Sequence, residues 1–113
     1  MIVKTASRTY EVNSYGYGAT LPTGERLWSC VIEPVQLLSA AECAQDLACG
    51  NIEIYSKNLL IETVTGMTKV RQYACTVKDD AIDSIMIILQ EPGMRDQLDE
   101  IFEAFKIIGG TNE

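Results

Sequence analysis

The chain has 113 residues, nine Lys and Arg against sixteen Asp and Glu, a net charge of −7, and no histidine. Without an imidazole there is no Ser-His-Asp or Cys-His pairing, no histidine general base and no His-ligated metal. A pI near 4.5 argues against a broad basic footprint for nucleic acid, and 47% hydrophobic with 22% charged residues is the composition of a globular domain rather than of a disordered chain.

The opening residues Met1 to Arg8 hold no apolar stretch long enough for a signal peptide. The longest aliphatic run, Ile85 to Leu89, falls far short of the roughly 20 residues that span a membrane. A soluble protein, cytoplasmic or a component of a larger particle such as a virion, is therefore expected.

Ile2-Val3-Lys4-Thr5 and Arg8-Thr9-Tyr10-Glu11-Val12 read as a strand pair or one bent strand, with period two in the second segment. Asn13 to Thr20 is Gly-rich and reads as a loop, and Leu21-Pro22-Thr23-Gly24-Glu25 is turn chemistry. Arg26 to Glu33 is the next strand, ended by Pro34. Ser39-Ala40-Ala41-Glu42 matches a capping box at the start of a helix over 39–49. Ala40, Cys43, Ala44, Leu47 and Ala48 form its apolar stripe, and Gly50 is placed to end it.

Strands are expected at 51–55, 59–64, 68–77 and 82–90, with turns at Thr65-Gly66-Met67 and Lys78-Asp79-Asp80-Ala81. The last strand is apolar on both faces at its middle, which places it centrally, with both sides covered. Pro92 suits the first turn of a second helix over 93–108. Its apolar stripe is Met94, Leu98, Ile101, Phe102, Phe105 and Ile108, with Gly109-Gly110 as the stop. The fold class that follows is a single α+β domain: a largely antiparallel sheet of about five to six strands with those two helices.

Few side chains point to chemistry. Cys30, Cys43, Cys49 and Cys75 lack CxxC spacing and are expected as buried, reduced thiols, with no zinc site. Gly16 and Gly18 do not make a phosphate cradle, because the third glycine and the following helix are missing. Asp79, Asp80 and Asp83 lack the glycine of a calcium loop and read as a turn. No cofactor, metal or catalytic residue is assigned, and an enzyme is not expected. Lys69, Arg71 and Tyr73 alternate on one strand, in the manner of a charged sheet edge that discourages stray pairing. The candidate interaction residues are Tyr15 and Tyr17 of the Tyr-Gly stretch with Trp28, and the acids Asp99, Glu100 and Glu103 of the last helix.

Residues 51–90 carry Ile52-Glu53-Ile54-Tyr55, then Glu62-Thr63-Val64-Thr65-Gly66-Met67-Thr68, a long strand, an acidic turn and Ile85-Met86-Ile87-Ile88-Leu89. This pattern, with the opening Ile2-Val3 and Thr9-Tyr10-Glu11-Val12, resembles small accessory proteins of the phage and prophage structural modules of Gram-positive bacteria, of tail or baseplate type. The resemblance implies a non-enzymatic structural or interaction role, with a protein partner or homo-oligomer and no catalytic residue. Direct nucleic-acid binding and a membrane are not expected. Two other roles fit the residues: an acidic inhibitor or regulator of a nucleic-acid-handling enzyme, suggested by the late acids, and a small-ligand binding domain under the Tyr15–Tyr17 loop.

Overall fold

The computed structural model describes residues 1–35 and 38–93. Within them the order is β1 (Ile2–Lys4), β2 (Thr9–Tyr17), β3 (Leu27–Ile32), α1 (Ala40–Leu47), β4 (Asn51–Ser56), β5 (Leu59–Thr65), β6 (Lys69–Lys78) and β7 (Ala81–Gln90). The seven strands form one sheet in the order β5-β4-β1-β2-β3-β7-β6. Every neighbouring pair is antiparallel. The α+β class stands, with three corrections of detail.

The strand count is seven rather than five or six. Thr5 splits the first segment in two: its hydroxyl accepts the backbone N–H groups of Ser7 at 3.2 Å and Arg8 at 3.0 Å, a turn that lets β1 and β2 pair. The stretch expected as a Gly-rich loop is strand as far as Tyr17, because β3 supplies a ladder partner at each step from Ser14 to Tyr17. A bulge between Val12 and Ser14 absorbs the irregularity. The helix expected over 93–108 lies, Gly93 apart, outside the described residues.

The third correction concerns Thr65-Gly66-Met67. It has turn chemistry, with Gly66 at φ 81°, yet it joins no hairpin, for β5 and β6 stand at opposite ends of the sheet order. Six strand intervals of about 4.8 Å would hold those ends roughly 29 Å apart in a flat sheet. The three residues Gly66–Thr68 reach at most about 15 Å, so the sheet must curl until its two ends approach at this corner. Gly66 N–H bonds the Gly50 carbonyl at 3.0 Å there, and Met67 is fully buried beneath the seam.

The concave face is the core. Trp28, Cys30 and Ile32 of β3 stand opposite Leu89, Ile87 and Ile85 of β7, and Val3, Tyr10, Ile52, Ile54 and Val64 continue the layer. Burying each large aliphatic or aromatic side chain stabilises the fold by about 1.5–3 kcal/mol. Helix α1 closes this face with Cys43, Ala44 and Leu47. Its start is the expected capping box: Ser39 Oγ accepts Glu42 N–H at 3.1 Å, and Glu42 reaches back to the Ser39 backbone. Two hairpins turn on paired positive-φ residues, Lys57-Asn58 (52° and 66°) and Asp79-Asp80 (53° and 62°). That backbone matches the right-handed strand twist of two-residue hairpins.

Candidate interaction surface

The two tyrosines and the tryptophan meet at one end of the β2–β3 ladder. Tyr17 stands opposite Trp28 and Tyr15 opposite Cys30, all on one face. The Tyr15 and Trp28 rings tilt against each other at 35° with centroids 6.2 Å apart. They do not share an exposed surface. Trp28 is fully buried in the core, and its indole Nε1 has no hydrogen-bond partner among the described residues. Tyr15 is half-buried; its phenol is pushed above the ordinary value by desolvation first and by the Glu62 carboxylate second, which ties β2 to β5. Only Tyr17, 46% exposed, offers its ring to solvent. Trp28 stands beside Leu89 of β7 within the core, whereas Tyr17 lies at the last pair of the β2–β3 ladder.

Tyr17 is part of a short polar chain. The Arg26 guanidinium lies 5.3 Å from its ring centroid. The same guanidinium holds Glu91 through Nε–Oε1 at 2.9 Å and Nη2–Oε2 at 3.2 Å, and Arg26 N–H donates to Oε1 at 2.7 Å. Hydrogen bonding from Arg26 holds the Glu91 carboxyl below its ordinary range. Thr23, Gly24, Glu25, Glu91, Pro92 and Gly93 line a shallow open depression of about 230 Å³ beside this chain. What it offers is stacking, hydrogen bonding and charge pairing. Asp99, Glu100 and Glu103 lie outside the described residues.

The thiols divide. Cys30 and Cys43 are buried as expected. Burial pushes the Cys30 thiol up to about 12 and also raises that of Cys43, so neither is a thiolate at neutral pH. Cys49 and Cys75 are exposed, contrary to expectation, because Cys49 follows the end of α1 and Cys75 sits on an edge strand. Among the described residues no group of three His, Cys, Asp or Glu is placed to hold a metal ion. No helix there is long and apolar enough to cross a membrane.

The strongest surface feature was not singled out from the sequence. Both ends of the sheet order are strands paired on one side only among the described residues. On β5 three consecutive apolar residues face solvent: Leu59 at 69%, Leu60 at 51% and Ile61 at 49% exposed. Their signal was the unbroken Leu-Leu-Ile directly after Lys57-Asn58, read as ordinary strand content. On β6 nine of ten residues are exposed, and Lys69, Arg71 and Tyr73 lie on that edge as expected. Comparison with family models, curated proteins and solved structures finds no match to this chain.

Proposed function

We propose that this is a non-enzymatic structural or protein-interaction protein of phage or prophage type, working by contact along its sheet edges. The observation that carries the reading is the exposed Leu59-Leu60-Ile61 on edge strand β5. Edge strands present unpaired backbone donors and acceptors, and natural sheets normally blunt them with charge, proline or bulges. The β6 edge is blunted in this way. It carries Lys69, Arg71 and Lys78 and no acid, so pairing it antiparallel with its own copy would set Lys69 against Lys78. The tip of β5 carries neither charge nor proline from Leu59 to Ile61; a bulge at Ile61, where the register shifts between Ile54 and Tyr55 of β4, interrupts the ladder there, and the open backbone beside apolar side chains suits strand addition by a partner.

Light scattering and native mass spectrometry on the purified chain, with a pull-down from its host, test the reading. A defined oligomer or a specific partner, lost on Leu60→Asp or Ile61→Lys, is the expected result. A strict monomer that captures nothing overturns it. The phage-type assignment rests on the resemblance over residues 51–90, and tail or capsid genes beside this one are the corresponding expectation.

A further inference from the structure

A strand at the end of a sheet can be extended only where its outward backbone groups are free, and the register of β5 shows where they are. The β4–β5 hairpin closes on Ser56 and Leu59 around the two-residue loop Lys57-Asn58. The closing pair of such a hairpin exchanges its backbone hydrogen bonds inward, so the next residue, Leu60, turns its N–H and C=O to the open side. The bulge at Ile61 puts the rest of the edge out of step with the tip. The Leu60 side chain belongs to a larger apolar feature. Leu60 pairs with Tyr55, and Tyr55 with Ile2. The adjacent Ile54 and Val3 are in the core, so Leu60, Tyr55 and Ile2 form one row on the outer face of the sheet. Tyr55 and Ile2 are half-buried there, and Leu60 is 51% exposed.

We infer that the occupant of this edge is a second copy of the chain, paired antiparallel with the first about a two-fold axis through Leu60. The inference rests on the reading of β5 as the contact edge and names its partner. Leu60 opposite its own counterpart satisfies the outward backbone groups of both strands, and it sets Leu59 against Ile61 with no charge in the pairing. The outer-face rows of the two copies then meet at Leu60 and become one apolar row across the junction. Pairing β5 with β6 of the next copy is the poorer match. It lays Leu59 to Ile61 along a strand bearing Lys69, Arg71 and Lys78, and the acid of β5, Glu62, already faces Tyr15. Leu59, Leu60 and Ile61 expose on the order of 300 Å² per copy, so two copies bury less than the roughly 1,200 Å² at which stable specific interfaces begin. The dimer is therefore concentration-dependent. It is also closed, because a two-fold contact uses the same edge of both copies and leaves no place for a third.

Sedimentation velocity over a concentration series, with site-directed crosslinking, tests this on the full chain. The expected distribution is monomer and dimer alone, the dimer fraction rising with concentration. For the register, Cys49→Ser and Cys75→Ser first remove the two exposed thiols. In that background Leu60→Cys lies on the axis and is expected to link to its counterpart through a short bismaleimide several-fold faster than Thr63→Cys, whose two copies stand roughly 20 Å apart in this pairing. Fluorescence of the buried Trp28 checks that each variant is folded. Equal linking at the two positions overturns the inference, and so does a series of trimers and higher species. A chain that stays monomeric overturns it as well, in two distinguishable ways. If it captures a host protein through Leu60, the edge-contact reading survives; if it captures nothing, that reading falls with it.

Discussion

Asp46 joins the helix to the sheet with a single carboxylate oxygen. Oδ2 accepts the Tyr10 hydroxyl at 2.6 Å and the Thr5 hydroxyl at 2.8 Å. Burial first, and then the hydrogen bond to Asp46, hold the Tyr10 phenol well above its ordinary value, so it remains a donor across the working pH range. Asp46→Ala strands a buried hydroxyl and is expected to cost about 1–3 kcal/mol in urea unfolding, whereas Tyr10→Phe, which removes the buried donor itself, costs about 0.5–1.5 kcal/mol. Glu91 makes a pH prediction. Its folded-state carboxyl is depressed by the Arg26 hydrogen bonds, so the pair stabilises the fold above the unfolded carboxylate's ordinary value of 4.5 and loses that contribution as pH falls through the depressed folded value. The pair is solvent-exposed at Arg26, and the effect is correspondingly small. Thermal scans from neutral pH down to the acid range should show a shallower loss of Tm in Glu91→Gln than in the native chain; identical slopes would remove Glu91 from the acid response.

At the scale of elements, α1 depends on its first turn. Ser39→Ala removes the acceptor for Glu42 N–H and is expected to lower stability by about 1 kcal/mol in chemical denaturation. Gly66 sits at φ 81° in the link between the sheet ends, so Gly66→Val is expected to cost about 1–2 kcal/mol, with Gly66→Asn milder. These elements also show what a sequence reveals. The capping box and the apolar stripe of α1 are local signals, and the helix formed where they placed it, as Ala40–Leu47 within the expected 39–49. The strands from Asn51 to Gln90 were legible for the same reason, since alternation and turn residues are short-range. The Tyr15–Gly16–Tyr17 stretch was not, because its strand character comes from β3, a partner more than ten residues away. The strand order was not legible either. Thr65-Gly66-Met67 looks like any hairpin turn, and only the long-range pairing of β7 with β3 shows that it bridges two sheet ends. At the surface, Tyr17 is exposed while Trp28, its cross-strand partner on the same face, is buried: how far the core extends along that face depends on the curl of the whole sheet, which alternation along a strand does not show.

For the whole molecule, the sheet order separates what is guarded from what is open. β6 is basic and long, and β5 begins with bare aliphatic residues. Leu60→Lys on β5 should therefore suppress association in sedimentation experiments, while Tyr73→Lys on β6 should leave it unchanged. The place of β7 has a further consequence, for synthesis. β3 pairs with β2 at once, but its second neighbour is β7, with Ile32 opposite Ile85. The ribosome needs about 3–10 s to add those roughly 50 residues at about 5–20 residues per second. During that interval the nascent chain presents β3 as an unpaired edge, with Trp28 and Ile32 uncovered on its core side. The newborn protein is thus exposed to chaperones, and to neighbouring nascent chains on the same message, at a site that vanishes once β7 docks.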